Sequence, residues 1–175
     1  MSVYNAIRYN NSYANAGGLI ALSTQTASSS SSISFTSGIN STYSEYMFIF
    51  NNIHPQTDDA HFMFQGNASG GSGYNETITS TSFRAYHNEA DSDSSLSYGT
   101  NSDQANGTAF QQIARGTRNE ADDNCSGYLH LFNPSSTTFV KHFISTGASL
   151  GATKYSYNDF VAGYGNTTSA VDAVQ

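Results

Sequence analysis

An all-β fold, an antiparallel β-sandwich of jelly-roll type, is what this sequence predicts, and three observations predict it. Composition is the first: charged residues make up only 11% of the chain, while it holds 12 Tyr and 11 Phe, which suit a pleated surface. Helix formers such as Glu, Lys, Arg and Leu are scarce. The second is hydrophobic alternation of period two in several short runs. The third is punctuation: Gly, Asn, Ser and Asp clusters separate about eight or nine such runs, the spacing of a sandwich or barrel. A chain of 175 residues suits one domain with a sizeable core. We divide it into an N-terminal arm, residues 1–16, and a single β-sandwich domain, residues 17–175.

The arm is polar and aromatic, with Tyr4, Tyr9 and Tyr13 among asparagines. It reads either as a strand lying on another surface or as a loosely ordered terminus. Leu19-Ile20-Ala21-Leu22 is expected as a first strand. Residues 31–36 follow a serine run, and Ile33 and Phe35 alternate there with serine, so a strand with a serine outer face is expected. Residues 44–53, SEYMFIFNNI, carry the strongest strand signal. Tyr46, Phe48 and Phe50 face one side and Met47 and Ile49 the other. Apolar residues on both faces predict a central strand, covered twice or leaning on a neighbouring subunit.

Residues 61–65 form the next strand, and the glycine-rich residues 66–74 a hairpin loop. That loop lacks the lysine of a phosphate-binding loop, and no helix follows it. Residues 77–87 are β-favouring, with Ile78, Ser80 and Ser82 opposite Thr79, Thr81 and Phe83. Residues 88–106, acidic and serine-rich, read as one long surface loop. Residues 109–114 are open between a helical turn and a short strand. Residues 127–145, GYLHLFNPSSTTFVKHFIS, read as two alternating arms around the turn Asn133-Pro134-Ser135-Ser136. Residues 157–164 form a further strand, and Val171 and Val174 begin a last one.

The net charge is −7, and the six basic residues, Arg8, Arg84, Arg115, Arg118, Lys141 and Lys154, are scattered. With no basic stripe to neutralise phosphates, neither nucleic acid nor an anionic membrane is an expected partner. The lone Cys125 has no internal disulfide partner and reads as a small buried hydrophobe. The first residues show no secretory pattern. Three acidic clusters offer candidate metal ligands: Glu89, Asp91 and Asp93; Asp58 and Asp59 with His61; and Glu120, Asp122 and Asp123. None has the Gly and Glu spacing of a calcium loop, and each is expected to be solvated. Among His54, His61, His87, His130 and His142 no zinc-binding spacing occurs, although a hairpin would bring His130 and His142 onto facing strands. No nucleophile elbow marks a hydrolase. We therefore expect no catalytic residue, no metal site and no cofactor. The sequons at Asn40, Asn67, Asn75, Asn106, Asn124 and Asn166 follow from the Asn/Ser/Thr-rich composition. Tyrosine-rich, Asn/Ser-rich β surfaces suit carbohydrate stacking and subunit contacts equally.

Four phrases carry a resemblance: STYSEYMFIFNNIHP (residues 41–55), FRAYHNEAD (83–91), SGYLHLFNPSSTTFVKHF (126–143) and FVAGYGNTTSAVDAVQ (160–175). They resemble a family of tailed-phage virion structural proteins common in marine and cyanobacterial phages. The resemblance spans almost the whole chain, and the hairpin phrase is its most specific part. It implies a non-enzymatic virion component assembled in the host cytoplasm, with capsid decoration favoured. The alternatives are a tail or fibre-associated subunit and a module binding a host-surface glycan. The implied partners are the major capsid protein or tail proteins, and further copies of the chain. The family pattern continues past the position of Gln175 into one more turn and strand, whereas this sequence stops there. Either this member is shorter or the sequence is cut where order ends; if it is shorter, the sheet edge left open calls for a cover from another strand or subunit.

Overall fold

The computed structural model describes residues 18–71 and 73–175. The expected arm, residues 1–16, lies outside them. Ten strands follow one another: β1 Glu45–Ile53, β2 Ala60–Phe64, β3 Gly66–Ala68, β4 Ile78–Asn88, β5 Ser94–Tyr98, β6 Gln111–Thr117, β7 Cys125–Phe132, β8 Lys141–Gly151, β9 Tyr155–Gly165 and β10 Val171–Val174. The only helical element among the described residues is a 3-10 turn, Ala152–Lys154, between β8 and β9.

Six strands form one antiparallel sheet in the order β1-β7-β8-β9-β4-β5. Two small pairs, β2 with β6 and β3 with β10, pack on one face of it. The result is an antiparallel two-layer all-β architecture, the expected class. The jelly-roll form is not established by this strand order. The core lies between the layers: Tyr46, Phe50, Leu129, Leu131, Phe143 and Val161 from the large sheet meet Phe64, Ile113, Val171 and Val174 from the small pairs. Phe64 packs edge-on against Phe143 with ring centroids 4.8 Å apart.

Glycine lets the layers close at the centre. A Cβ on Gly147 of β8 would stand 2.3 Å from the Ile113 carbonyl oxygen of β6, so only a bare Cα leaves room for that backbone.

Several local expectations change. Leu19, Ile20 and Leu22 are exposed and form no strand, having no alternating partner strand to bury them. Of residues 31–36 only Phe35 pairs, in a bridge to Val174. Residues 46–50 do lie in a strand with Tyr46 and Phe50 inward, but β1 is an edge strand among the described residues rather than a central one. Residues 66–68 of the glycine-rich loop become β3 because β10 offers them backbone partners. The long loop 88–106 contains β5, which adds to the edge of β4. Residues 111–117 resolve the open choice as a strand, β6. The hairpin holds with shifted bounds. Its turn has Asn133 in the left-handed region at φ 47°, Pro134 buried, and the Ser136 N–H bonded back to the Asn133 carbonyl at 3.0 Å. Phe143 is core, whereas Phe139 is 67% exposed. Lys141 points inward, its Nζ donating to the carbonyls of Phe139 (2.6 Å) and Thr167 (3.3 Å), and burial pulls its pKa below the usual lysine value.

Candidate functional site

The large sheet has two faces of opposite design. Register places Ile49, Tyr128, Thr146, Phe160, Phe83 and Tyr98 side by side, one from each strand from β1 to β5. This row crosses the whole sheet on the face away from the small pairs. Beside it lie Met47, His130, Ile144 and Ala162 on one flank and Leu96 on the other. Ile49 and Leu96 are each 68% exposed. Phe83 and Phe160 stack at 4.8 Å with their planes 13° apart. No described element covers this face.

The matching inner row runs Phe50, Gly127, Gly147, Asp159, Arg84 and Ser97. It passes from apolar core through bare glycine to a buried charge. Asp159 is fully buried and accepts from Arg84 Nε at 2.9 Å and Nη2 at 3.1 Å, and from Arg115 Nε at 2.6 Å and its backbone N–H at 2.9 Å. The Arg115 carbonyl in turn accepts from Arg84 Nη2 (2.9 Å) and the Ser149 hydroxyl (3.0 Å). Arg115 Nη1 donates to the Ser102 hydroxyl at 2.6 Å. The carboxylate is thus satisfied by four donors from two layers, as a buried charge requires.

Beyond this network the small pairs stop and the inner face opens into a pocket of about 370 Å³. The two arginines meet Tyr86, Tyr155 and Tyr157 there, with Asp93 and Ser97 at the rim. The Tyr155 and Tyr157 rings are parallel within 5° at 5.7 Å, and Tyr86 stands edge-on to both. The Arg84 guanidinium carbon sits 3.9 Å above the Tyr157 ring. Gly151 makes room: a Cβ there would lie 1.9 Å from Tyr157 Cε2. The Tyr155 hydroxyl donates to Asp93 Oδ2 at 2.7 Å, and that bond raises its pKa. Burial raises that of Tyr157, against the neighbouring Arg84. Both phenols therefore keep their protons at neutral pH.

The acidic and histidine clusters singled out in the sequence have other uses. Glu120, Asp122 and Asp123 do converge, the one such group among the described residues. Lys154 Nζ lies within 3.2 Å of Glu120, 3.8 Å of Asp122 and 3.4 Å of Asp123, and Arg118 reaches Glu120 at 2.7 Å. Lys154 and Arg118 thus neutralise part of this acidic group. Asp91 pairs with His87 at 3.1 Å, Asp58 with Arg118 at 3.5 Å, and His61 Nδ1 accepts the Gly116 N–H. His54 Nδ1 bonds the Asp123 carbonyl, and His130 pairs with Glu45 across β1 and β7. His142 lies on the outer face against Tyr164. Cys125 is buried, and burial pushes its thiol up to about 11.

No protein-family model, curated protein or solved structure matches this chain.

Proposed function

We propose that the protein is a non-enzymatic structural component of a tailed-phage virion, favoured as a capsid decoration protein, and that its subunits pair through the outer sheet face. The observation that carries the assembly role is the aromatic and aliphatic row from Ile49 to Tyr98. Large contiguous apolar surface on a soluble domain marks an interaction site. The partner for this face is a second copy of the chain. Six strands at about 4.8 Å spacing and about 9 residues of length present on the order of 800 Å² of face, the area one partner contributes to a standard stable interface. The same face repeated on a two-fold axis forms an isologous contact, each patch meeting its own copy. The virion assignment is supported by the sequence phrases, above all residues 126–143, and by an acidic chain without a basic stripe.

Two measurements test this reading. Sedimentation equilibrium of the pure protein is expected to give a concentration-dependent dimer, with Ile49→Asp and Leu96→Asp monomeric and equally stable. A monomer at all concentrations removes the paired-face reading. Quantitative mass spectrometry of purified virions is expected to find on the order of hundreds of copies, as shell symmetry requires. A few tens place the protein in the tail, and its absence from virions overturns the virion assignment.

A further inference from the structure

The outer face is not the only surface with a chemistry of its own. The tyrosine–arginine pocket lies on the opposite face of the sheet and shares no residue with the outer row. Among the described residues, Arg84 Nη1 and Arg115 Nη2 have no protein acceptor, although each guanidinium is held rigidly by Asp159. Both guanidiniums line the pocket, each with one terminal nitrogen uncommitted. At the rim, Asp93 Oδ1 supplies an uncommitted acceptor, because only Oδ2 takes the Tyr155 hydroxyl. Aromatic rings form the remaining wall.

Charge decides the class of ligand. The two guanidiniums are balanced by Asp159 beneath them and Asp93 at the rim, and the carboxylate of Asp59 lies nearby, beside Gly116. No net positive charge remains to hold an acid or a phosphate. A neutral ligand that both donates and accepts, with one apolar face to lay on an aromatic ring, fits all three features. A pyranose ring has that chemistry: vicinal hydroxyls for an arginine–carboxylate pair, and a C–H face for tyrosine. A volume of about 370 Å³ is at the lower end of the ~300–1,000 Å³ typical of small-molecule sites.

We propose that this pocket binds a neutral saccharide residue, with Arg84, Arg115 and Asp93 bonding its hydroxyls and Tyr155 stacking on its ring. The inference goes beyond the virion reading and does not depend on the outer face.

The test is titration of the full chain, followed by saturation-transfer NMR, with methyl glycosides and short oligomers of glucose, galactose, mannose and N-acetylglucosamine. Glucuronate and inorganic phosphate serve as anionic probes. Binding of at least one neutral sugar is expected with a millimolar Kd, tighter than either anion. Ser97→Trp fills the pocket from an exposed position on β5 beside its cross-strand partner Arg84, and is expected to lose at least about tenfold in affinity while its thermal midpoint shows that the Asp159 network is kept. Tyr155→Ala is expected to lose a similar factor, with its thermal midpoint showing that it folds. Ile49→Asp on the outer face is expected to bind as the unaltered chain does. The proposal is overturned by failure of every neutral sugar to bind, by tighter binding of the anions, or by undiminished binding to Ser97→Trp.

Discussion

Changing Asp159 to Asn keeps its size and shape and removes its charge. Four donors converge on this fully buried side chain, at 2.6 to 3.1 Å. An asparagine can place its Oδ1 toward only one side of the cluster. Its Nδ2 then faces N–H groups that need an acceptor, and two guanidiniums lose their counter-charge. Breaking a buried ion pair by removing one partner costs about 3–5 kcal/mol. The arginine side chains are 17% and 12% exposed, so each can recover some hydration by turning outward. That places the expected loss near the lower end, about 3 kcal/mol. For a domain whose total stability is about 5–15 kcal/mol this is a large fraction. Equilibrium urea unfolding reads it directly: with a slope of about 2 kcal/mol/M, the midpoint falls by about 1.5 M. Saccharide binding is lost with it, because both arginines are released from their fixed positions. A loss under about 1 kcal/mol at unchanged slope would refute the reasoning, since it would mean that water already serves these groups.

Two further predictions separate core from surface and fix a pH dependence. Phe143→Ala, at a buried position packed on Phe64, is expected to cost about 3–5 kcal/mol in urea unfolding, whereas Phe139→Ala, on the exposed turn, should stay within about 0.5 kcal/mol. The buried Cys125 thiol is held up to about 11 from an ordinary value of 9.0, so the folded state keeps a proton that the unfolded state gives up in that interval. Its stabilisation is complete below pH 9 and is lost as pH rises toward 11, about 2–3 kcal/mol in all. Lys141 acts in the opposite sense, because burial lowers its pKa and the unfolded chain then binds the extra proton. The comparison that isolates the thiol is therefore wild type against Cys125→Ala: the variant's alkaline limb should be shallower by that amount, and parallel limbs would contradict it.

Much of the fold was legible because period-two alternation survives wherever one face is dry. Residues 46–50 and 77–87 show it, and both form strands with the faces the pattern assigns. The signal failed where pairing rather than hydrophobicity makes the strand. β3 (Gly66–Ala68) and β5 (Ser94–Tyr98) have no buried residue and exist because a neighbouring backbone offers hydrogen bonds. Leu19 to Leu22 failed in the other direction: apolar composition without a partner strand gives no strand. The pocket was legible only as an abundance of tyrosine. Tyr86, Tyr155 and Tyr157 lie on two strands, and Arg115 comes from the opposite layer. What sequence could have offered is the pairing of small with large along β8 and β9. Gly147 and Gly151 alternate with serine toward the end of β8 where the aromatic rings of β9 stack.

The same alternation explains why so costly a group as Asp159 stands in the sheet. A strand that slips by one residue turns every side chain to the other face. In most sandwiches hydrophobicity forbids this, because one face is polar. Here both faces of β9 carry apolar residues, Val161 inward and Phe160 outward, and hydrophobicity alone distinguishes the two settings poorly. The inner row supplies what is missing. A slip of β9 would set Phe160 toward the layer interface, where the Ile113 carbonyl already crowds Gly147, and would carry Asp159 away from both arginines. Glycine excludes the wrong register by volume, and the carboxylate selects the right one by charge. A sheet can keep an apolar outer face for assembly only if something other than polarity fixes which face is outer. In this chain Asp159, Arg84 and Arg115 are placed to do that, and both arginines also line the tyrosine pocket.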